Sequence, residues 1–103
     1  MKSSYEHALP PEWASMSKVF SALGDEQRQR ILLLFERGER LNISQIVNAS
    51  PLSRTAISHH LHVLHEAGVL RSQKVGKEVF FWIDAAFLKE SIGTVLTYIQ
   101  ENH

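Results

Sequence analysis

The stretch from Pro51 to Ile83, PLSRTAISHHLHVLHEAGVLRSQKVGKEVFFWI, constrains the fold more than any other part of the chain. Its first half keeps Ile57, Leu61 and Leu64 at helical spacing, with Ser53 placed to cap the start and Gly68 to close the end. Its second half holds two β-prone runs, Val69 to Val75 and Glu78 to Ile83, joined around Gly76-Lys77, which is a hairpin signal. A helix loaded with hydroxyl and imidazole side chains that runs straight into a basic-tipped hairpin is the layout of a winged helix-turn-helix. That layout predicts contact with duplex DNA.

The remaining segments supply the other helices. Pro10 and Pro11 suit a first helical turn, where a missing N–H costs nothing. Leu9, Trp13, Met16, Phe20 and Leu23 follow at alternating steps of four and three, an apolar stripe on one helix face. Gly24 ends that helix. Asp25 caps a second one, expected to reach about Arg37 and to bury Ile31, Leu32, Leu34 and Phe35. Asn42 or Ser44 opens a short third helix, and Ser53 opens the fourth, which runs to about Ala67. Leu88, Ile92, Val95 and Ile99 then mark a final helix from Ala85 to Glu101. The expected fold is mainly α with a small β-hairpin, in the order ααααββα, as a single domain over residues 1–103.

Composition narrows the function. The chain contains no cysteine, which removes disulfides, thiol switches and thiolate metal sites together. Its longest apolar run, Ile31 to Phe35, is far too short to cross a bilayer, and the start MKSSYEHALPPEW lacks the apolar centre of a signal peptide. A cytoplasmic protein without membrane contact is the expectation. Formal net charge is zero, yet residues 51–83 carry Arg54, Arg71, Lys74 and Lys77 against only Glu66 and Glu78. Positive charge therefore collects on the helix and hairpin, where phosphates can meet it. No glycine-rich phosphate loop, Gly-x-Ser-x-Gly or His-Glu-x-x-His run is present, so no enzymatic chemistry and no cofactor are expected.

The residues expected to touch DNA are Ser53, Arg54, Thr55, Ser58, His59 and His62 on the helix, and Arg71, Lys74 and Lys77 on the hairpin. Short hydroxyl side chains suit base edges or phosphates, and the cations suit the backbone or the minor groove. Solvated helix surface and charged hairpin tips are the competing explanation. His60 is expected to be structural. Four histidines within residues 59–65 raise the question of zinc. His62 and His65 share a face, but two imidazoles do not complete a tetrahedral site, and a metal there would block the DNA face. The cluster points instead to DNA affinity that rises on mild acidification, because imidazole gains charge in that range. Phe81 belongs with Val79 and Ile83 on one sheet face, Phe80 and Trp82 on the other. Trp82 is expected to pack on a neighbouring helix or to line an effector pocket.

Three segments resemble the ArsR/SmtB family of bacterial repressors. Val19 to Phe35, VFSALGDEQRQRILLLF, is similar to its second-helix signature, Ser53 to Leu70 to its recognition helix, and Gly76-Lys77-Glu78-Val79-Phe80-Phe81 to its wing. The resemblance implies a homodimer built from the first and last helices, with Leu9, Trp13, Met16, Phe20, Leu88, Ile92, Val95 and Ile99 at the interface. It also implies an operator-binding repressor. Many members release DNA on binding metal, but the matching positions here are empty of suitable ligands. The third-helix site falls on Asn42 and Ser44, which offer no thiolate. The last-helix site falls on Ala85, Phe87, Tyr98 and Glu101, or one residue earlier, leaving one acidic group and no imidazole. No metal is therefore expected, and the effector is unknown. Two rivals stand beside this reading: a metal sensor with unusual ligands drawn from His7, Glu101 and His103, and a winged-helix module that binds protein rather than DNA.

Overall fold

Asp25 shows how locally this chain specifies its helix starts. Its carboxylate accepts from the backbone N–H of Gln27 at 2.8 Å and of Arg28 at 3.1 Å, satisfying donors that a helix terminus otherwise leaves open. In the computed structural model, which describes Met1, Tyr5 and residues 8–103, such caps delimit most of the elements. The order is α1 (Pro11–Leu23), α2 (Glu26–Leu32), β1 (Leu41–Asn42), α3 (Ile43–Asn48), α4 (Arg54–Glu66), β2 (Leu70–Val75), β3 (Glu78–Ile83) and α5 (Ala85–Asn102). The α+β winged architecture is the one expected.

Two boundaries differ from the expectation. The second helix stops at Leu32 rather than near Arg37. Five consecutive apolar residues, Ile31 to Phe35, cannot all face inward on one helix. The chain instead tightens, with Leu34 N–H donating to Ile31 and Phe35 N–H to Leu32, three residues back. Leu32, Leu34 and Phe35 thereby pack on the core while Leu33 is left exposed. Gly38, at φ 73°, then turns the chain toward a strand the sequence reading did not contain. That strand, β1, pairs antiparallel with β3 (Leu41 with Phe81, Asn42 with Phe80), so the hairpin grows into a sheet of order β1-β3-β2.

The core is one cluster. Val19 and Ala22 of α1, Ile31 of α2, Ile46 of α3, Ile57, Leu61 and Leu64 of α4, and Val69 and Leu70 at the start of the hairpin are all buried. Burying a large aliphatic side chain contributes on the order of 1.5–3 kcal/mol, so α4 is fixed by its inward face and its outward face is free for other work. Its C-terminus is closed with equal care. Gly68 N–H donates to His65 and Val69 N–H to Leu64, while Leu64 and Val69 both sit in the core. This is a Schellman closure with Gly68 at φ 84°, and it sets the angle at which the hairpin leaves the helix. At the hairpin tip Gly76 has φ 64°, and no non-glycine residue among those described has positive φ, which fits a two-residue type II′ turn.

Candidate nucleic-acid interface

Helix α4 is mounted on α3 by a short polar turn. Ser50 Oγ accepts from Leu52 N–H at 3.0 Å, and Ser53 Oγ accepts from Ala56 N–H at 3.1 Å. Asn42 and Gln45 form a reciprocal capping box at the start of α3. Arg54 Nη1 donates to Ser44 Oγ at 3.3 Å, linking the first turns of the two helices while its guanidinium remains exposed. The side chains of Thr55, Ser58, His59 and His62 are likewise exposed, on the face opposite Ile57, Leu61 and Leu64. Of these, only His62 and Ser58 also line the cleft between α4 and the sheet.

On the hairpin, Arg71, Lys74 and Lys77 are exposed. Among the described residues, none of Arg54, Arg71, Lys74 or Lys77 is paired with a carboxylate. Four uncompensated cations flanking a polar helix face form an anion-attracting surface. Lys77, Arg54 and Ser44 also border a cavity of about 290 Å3, together with Asn42, Glu78 and Val79.

Several contacts that hold this surface were invisible in the sequence. Arg28 is the first. Its Nε donates to Ala22 O at 2.7 Å and its Nη2 to Ser21 O at 3.4 Å, at the end of α1. Its Nη1 lies 3.4 Å from His60 Nδ1 on α4 and 4.0 Å from Asp25. One guanidinium thus joins α1, α2 and α4, and His60 has the structural place expected of it. The backbone N–H groups of Arg28 and Gln27, with the Arg28 guanidinium and His60 nearby, hold the Asp25 carboxyl below the ordinary carboxylate range, against a smaller opposing effect of burial. Trp82 is the second. It stands outside the core cluster, and its ring, expected to meet a neighbouring helix or an effector pocket, is covered by Arg40, whose guanidinium carbon is 3.8 Å from the ring centroid. Arg71 lies at 5.9 Å from the same ring, and Arg40 also donates to Gln73 at 2.8 Å. Arg40 precedes β1, so without that strand in view the pairing had no sequence signal.

The terminal helices pack on each other, with Trp13 and Tyr98 in edge-to-face contact at 5.4 Å. Of the residues expected at a dimer interface, Met16 turns inward and is only 7% exposed, serving the protomer's own packing. Trp13, Leu88 and Val95 are half-buried. Leu9 (56%), Phe20 (43%), Ile92 (45%) and Ile99 (49%) remain open, and so does Leu96 (54%), which the spacing argument passed over. Helix α5 therefore has two apolar stripes, one closed against the protomer and one, through Ile92, Leu96 and Ile99, left bare. As for metals, His7 lies outside the described residues, and among the described residues no three His, Cys, Asp or Glu side chains come together to hold an ion. Among the described residues, no helix is long and apolar enough to cross a membrane.

Comparison with known proteins agrees with this geometry. A family model described as "Bacterial regulatory protein, arsR family" matches residues 25–72. The chain is 30% identical over 86 residues to the "Transcriptional repressor SdpR" of Bacillus subtilis (strain 168), covering 84% of this chain and 94% of that protein. Among solved structures, an "ArsR-like Transcriptional Regulator" from Rhodococcus sp. RHA1 superposes with a TM-score of 0.78 at 34% identity, covering 86% of this chain and 83% of that one. A Mycobacterium bovis domain, described as a homodimeric winged helix-turn-helix DNA-binding domain, matches with a TM-score of 0.68 over 95% of this chain and 93% of that one. At 20% identity that last likeness speaks for the fold.

Proposed function

Because the chain belongs to the arsR family of bacterial regulatory proteins, we propose that it is a repressor that binds a partly palindromic operator as a homodimer. The chain is a transcriptional regulator with a DNA-binding winged helix. The outward face of α4 carries the proposal. It presents Arg54, Thr55, Ser58, His59 and His62 on a helix locked from behind by Ile57, Leu61 and Leu64, with unpaired cations on both sides. Thr55 and Ser58 take the base edges, Ser53 and Arg54 the phosphate at the helix start, and Arg71, Lys74 and Lys77 the flanking backbone.

The bare stripe on α5, with Phe20 of α1 and Leu9 just before that helix, is the dimer surface in this reading. Apolar side chains ranked along one face of a small protein are the usual mark of association. Two α4 helices related by a two-fold axis then enter major grooves about one DNA turn, roughly 34 Å, apart. Two subunits bring eight of the named cations to the backbone, so log affinity is expected to fall with log salt at a slope no steeper than about −7. The absence of a thiolate from the whole chain directs the release mechanism to a signal other than soft-metal or sulfur chemistry.

The test is a double substitution, Thr55→Ala with Ser58→Ala, on the exposed face of α4. Specific operator binding is expected to fall to the non-specific level while the dimer and its melting temperature are retained. Unchanged operator affinity in that variant would show that α4 does not read the bases.

A further inference from the structure

Between the C-terminal half of α4 and the inner face of the sheet lies an open cavity of about 240 Å3. Its floor is apolar, made by Ile43, Leu61 and Phe81. Its rim is not: Ser58, His62 and His65 reach it from α4, and Ser72 from β2. Ser72 Oγ and His65 Nε2 are 3.1 Å apart, so a hydroxyl–imidazole hydrogen bond ties the wing strand to the recognition helix at this rim. Two imidazoles and two hydroxyls are too few good donors for a metal, and no third His, Asp or Glu joins them among the described residues. As hydrogen-bond donors around the rim of an open, mostly apolar bowl they suit an oxyanion.

We infer that this cavity seats one phosphate oxyanion, and that seating it is coupled to proton uptake through the His65–Ser72 pair. The inference rests on the reading of α4 as the DNA-contacting helix, since Ser58 and His62 belong to both. Glu66 Oε1 lies 4.0 Å from His65 Nδ1 and favours the neutral tautomer with its proton there, which makes Nε2 the acceptor. In that state Ser72 gives its only proton to the imidazole and turns lone pairs toward the cavity, which repel an oxyanion. Once Nε2 is protonated it donates to Ser72 Oγ. The serine hydrogen is then free to point at the anion, and the imidazolium adds a charge-assisted attraction.

The groups facing this pair decide whether the charge is tolerated. Glu66 on α4 steadies it. Lys18 of α1, which shares a neighbouring groove with His62 and Glu66, opposes it and favours the bound anion. Lys74, two residues along β2 from Ser72, acts in the same sense. From α3 and β3 only the apolar Ile43 and Phe81 face the cavity. The phosphate has two possible sources, the operator backbone or a free phosphate monoester, and the experiment separates them.

The full chain is titrated with a duplex recovered from a random DNA pool, from about pH 8 to about pH 5.5 at fixed ionic strength, by fluorescence anisotropy. Affinity is expected to rise on acidification by up to about tenfold per pH unit for each proton taken up. His65→Gln and Ser72→Ala are expected to flatten that rise, and Ser72→Thr to keep it, with amide fingerprint spectra at pH 8 confirming that each variant folds. An undiminished rise in both H65Q and S72A overturns the inference and leaves the DNA reading standing. In a parallel arm, inorganic phosphate is titrated at pH 6 while the imidazole resonances of His62 and His65 and the phosphorus line are followed. Saturable shifts that the duplex reverses, with the phosphate line sharpening, assign the seat to the operator backbone. Shifts that persist with duplex bound assign it to a free phosphate. No saturable shift with either probe overturns the inference. If the random pool yields no duplex, the DNA reading fails on its own, and the phosphate titration still decides the seat.

Discussion

Gly68→Ala is the substitution whose cost the structure fixes most closely. Two separate penalties fall on it. Gly68 has φ 84°, in the left-handed region, where an alanine costs about 1–2 kcal/mol. A Cβ added there would also lie 2.6 Å from Cε2 and 3.1 Å from Cζ of Phe87, so the ring at the start of α5 must move by on the order of 1 Å to reach ordinary contact. Overpacking of that kind costs about 1–3 kcal/mol. The sum is about 2–5 kcal/mol, a large part of the 5–15 kcal/mol typical of a domain. Gly76 provides the control, because its φ of 64° is similar and a Cβ there meets nothing within 4 Å. G76A is expected to cost only the backbone portion, about 1–2 kcal/mol. Urea unfolding at one fixed protein concentration measures both, since a dimer's stability depends on concentration. A Gly68→Ala/Phe87→Leu double variant should recover part of the loss, giving a favourable coupling between the two positions. If G68A and G76A destabilise equally, within about 0.5 kcal/mol, the packing of α5 against the α4–β2 junction is wrong.

Two further outcomes follow from the same contacts. Leu96→Glu places a charge on the bare stripe of α5 and is expected to leave a folded species near the protomer mass of 11.7 kDa by light scattering, with the parent near twice that; loss of the paired half-sites should weaken operator binding by about 10²-fold or more, and a variant that stays dimeric would move the interface elsewhere. Asp25 governs the acid side of stability. Because its folded carboxyl titrates below the ordinary value of about 3.9, it adds stability that is present above that value and lost as pH falls through the folded one. Asp25→Asn keeps a good helix cap, so it should leave the helix intact and reduce the loss of stability on acidification below about pH 4; an unchanged acid limb in thermal melts would assign that loss to other carboxylates.

The parts of this molecule that were legible in its sequence are those specified by neighbours in the chain. Ser53 and Asp25 cap the helices they were expected to cap, Asn42 rather than Ser44 takes the cap of the third, and Ile57, Leu61 and Leu64 turn inward because their spacing admits only one buried face. Alternation alone separated Phe81 and Ile83 from Phe80 and Trp82. What escaped depends on partners far away in the chain. β1 is two residues long and exists through its pairing with Phe80 and Phe81, some forty positions on. The stacking of Arg40 on Trp82 follows from that pairing and was equally hidden. Arg28 carries no periodic signal, and its worth lies in the carbonyls of Ser21 and Ala22 and in His60. In α2 the apolar run itself misled, since a helix to Arg37 would have turned Leu32 and Leu33 away from the face shared by Ile31, Leu34 and Phe35. On α5 the periodicity was correct but described two stripes at once, and only the packing of α1 shows which one is free.

The central claim is that the outward face of α4 reads a two-fold symmetric DNA site. Selection of bound duplexes from a random pool, followed by sequencing, tests it most directly. The expected result is an enriched inverted repeat whose half-sites are centred about 10–10.5 base pairs, or a multiple of that, apart, with enrichment lost in the Thr55→Ala/Ser58→Ala protein. A pool that stays unenriched with well-folded dimer would contradict the claim and turn the exposed α4 face and the arginine-capped Trp82 toward a protein partner.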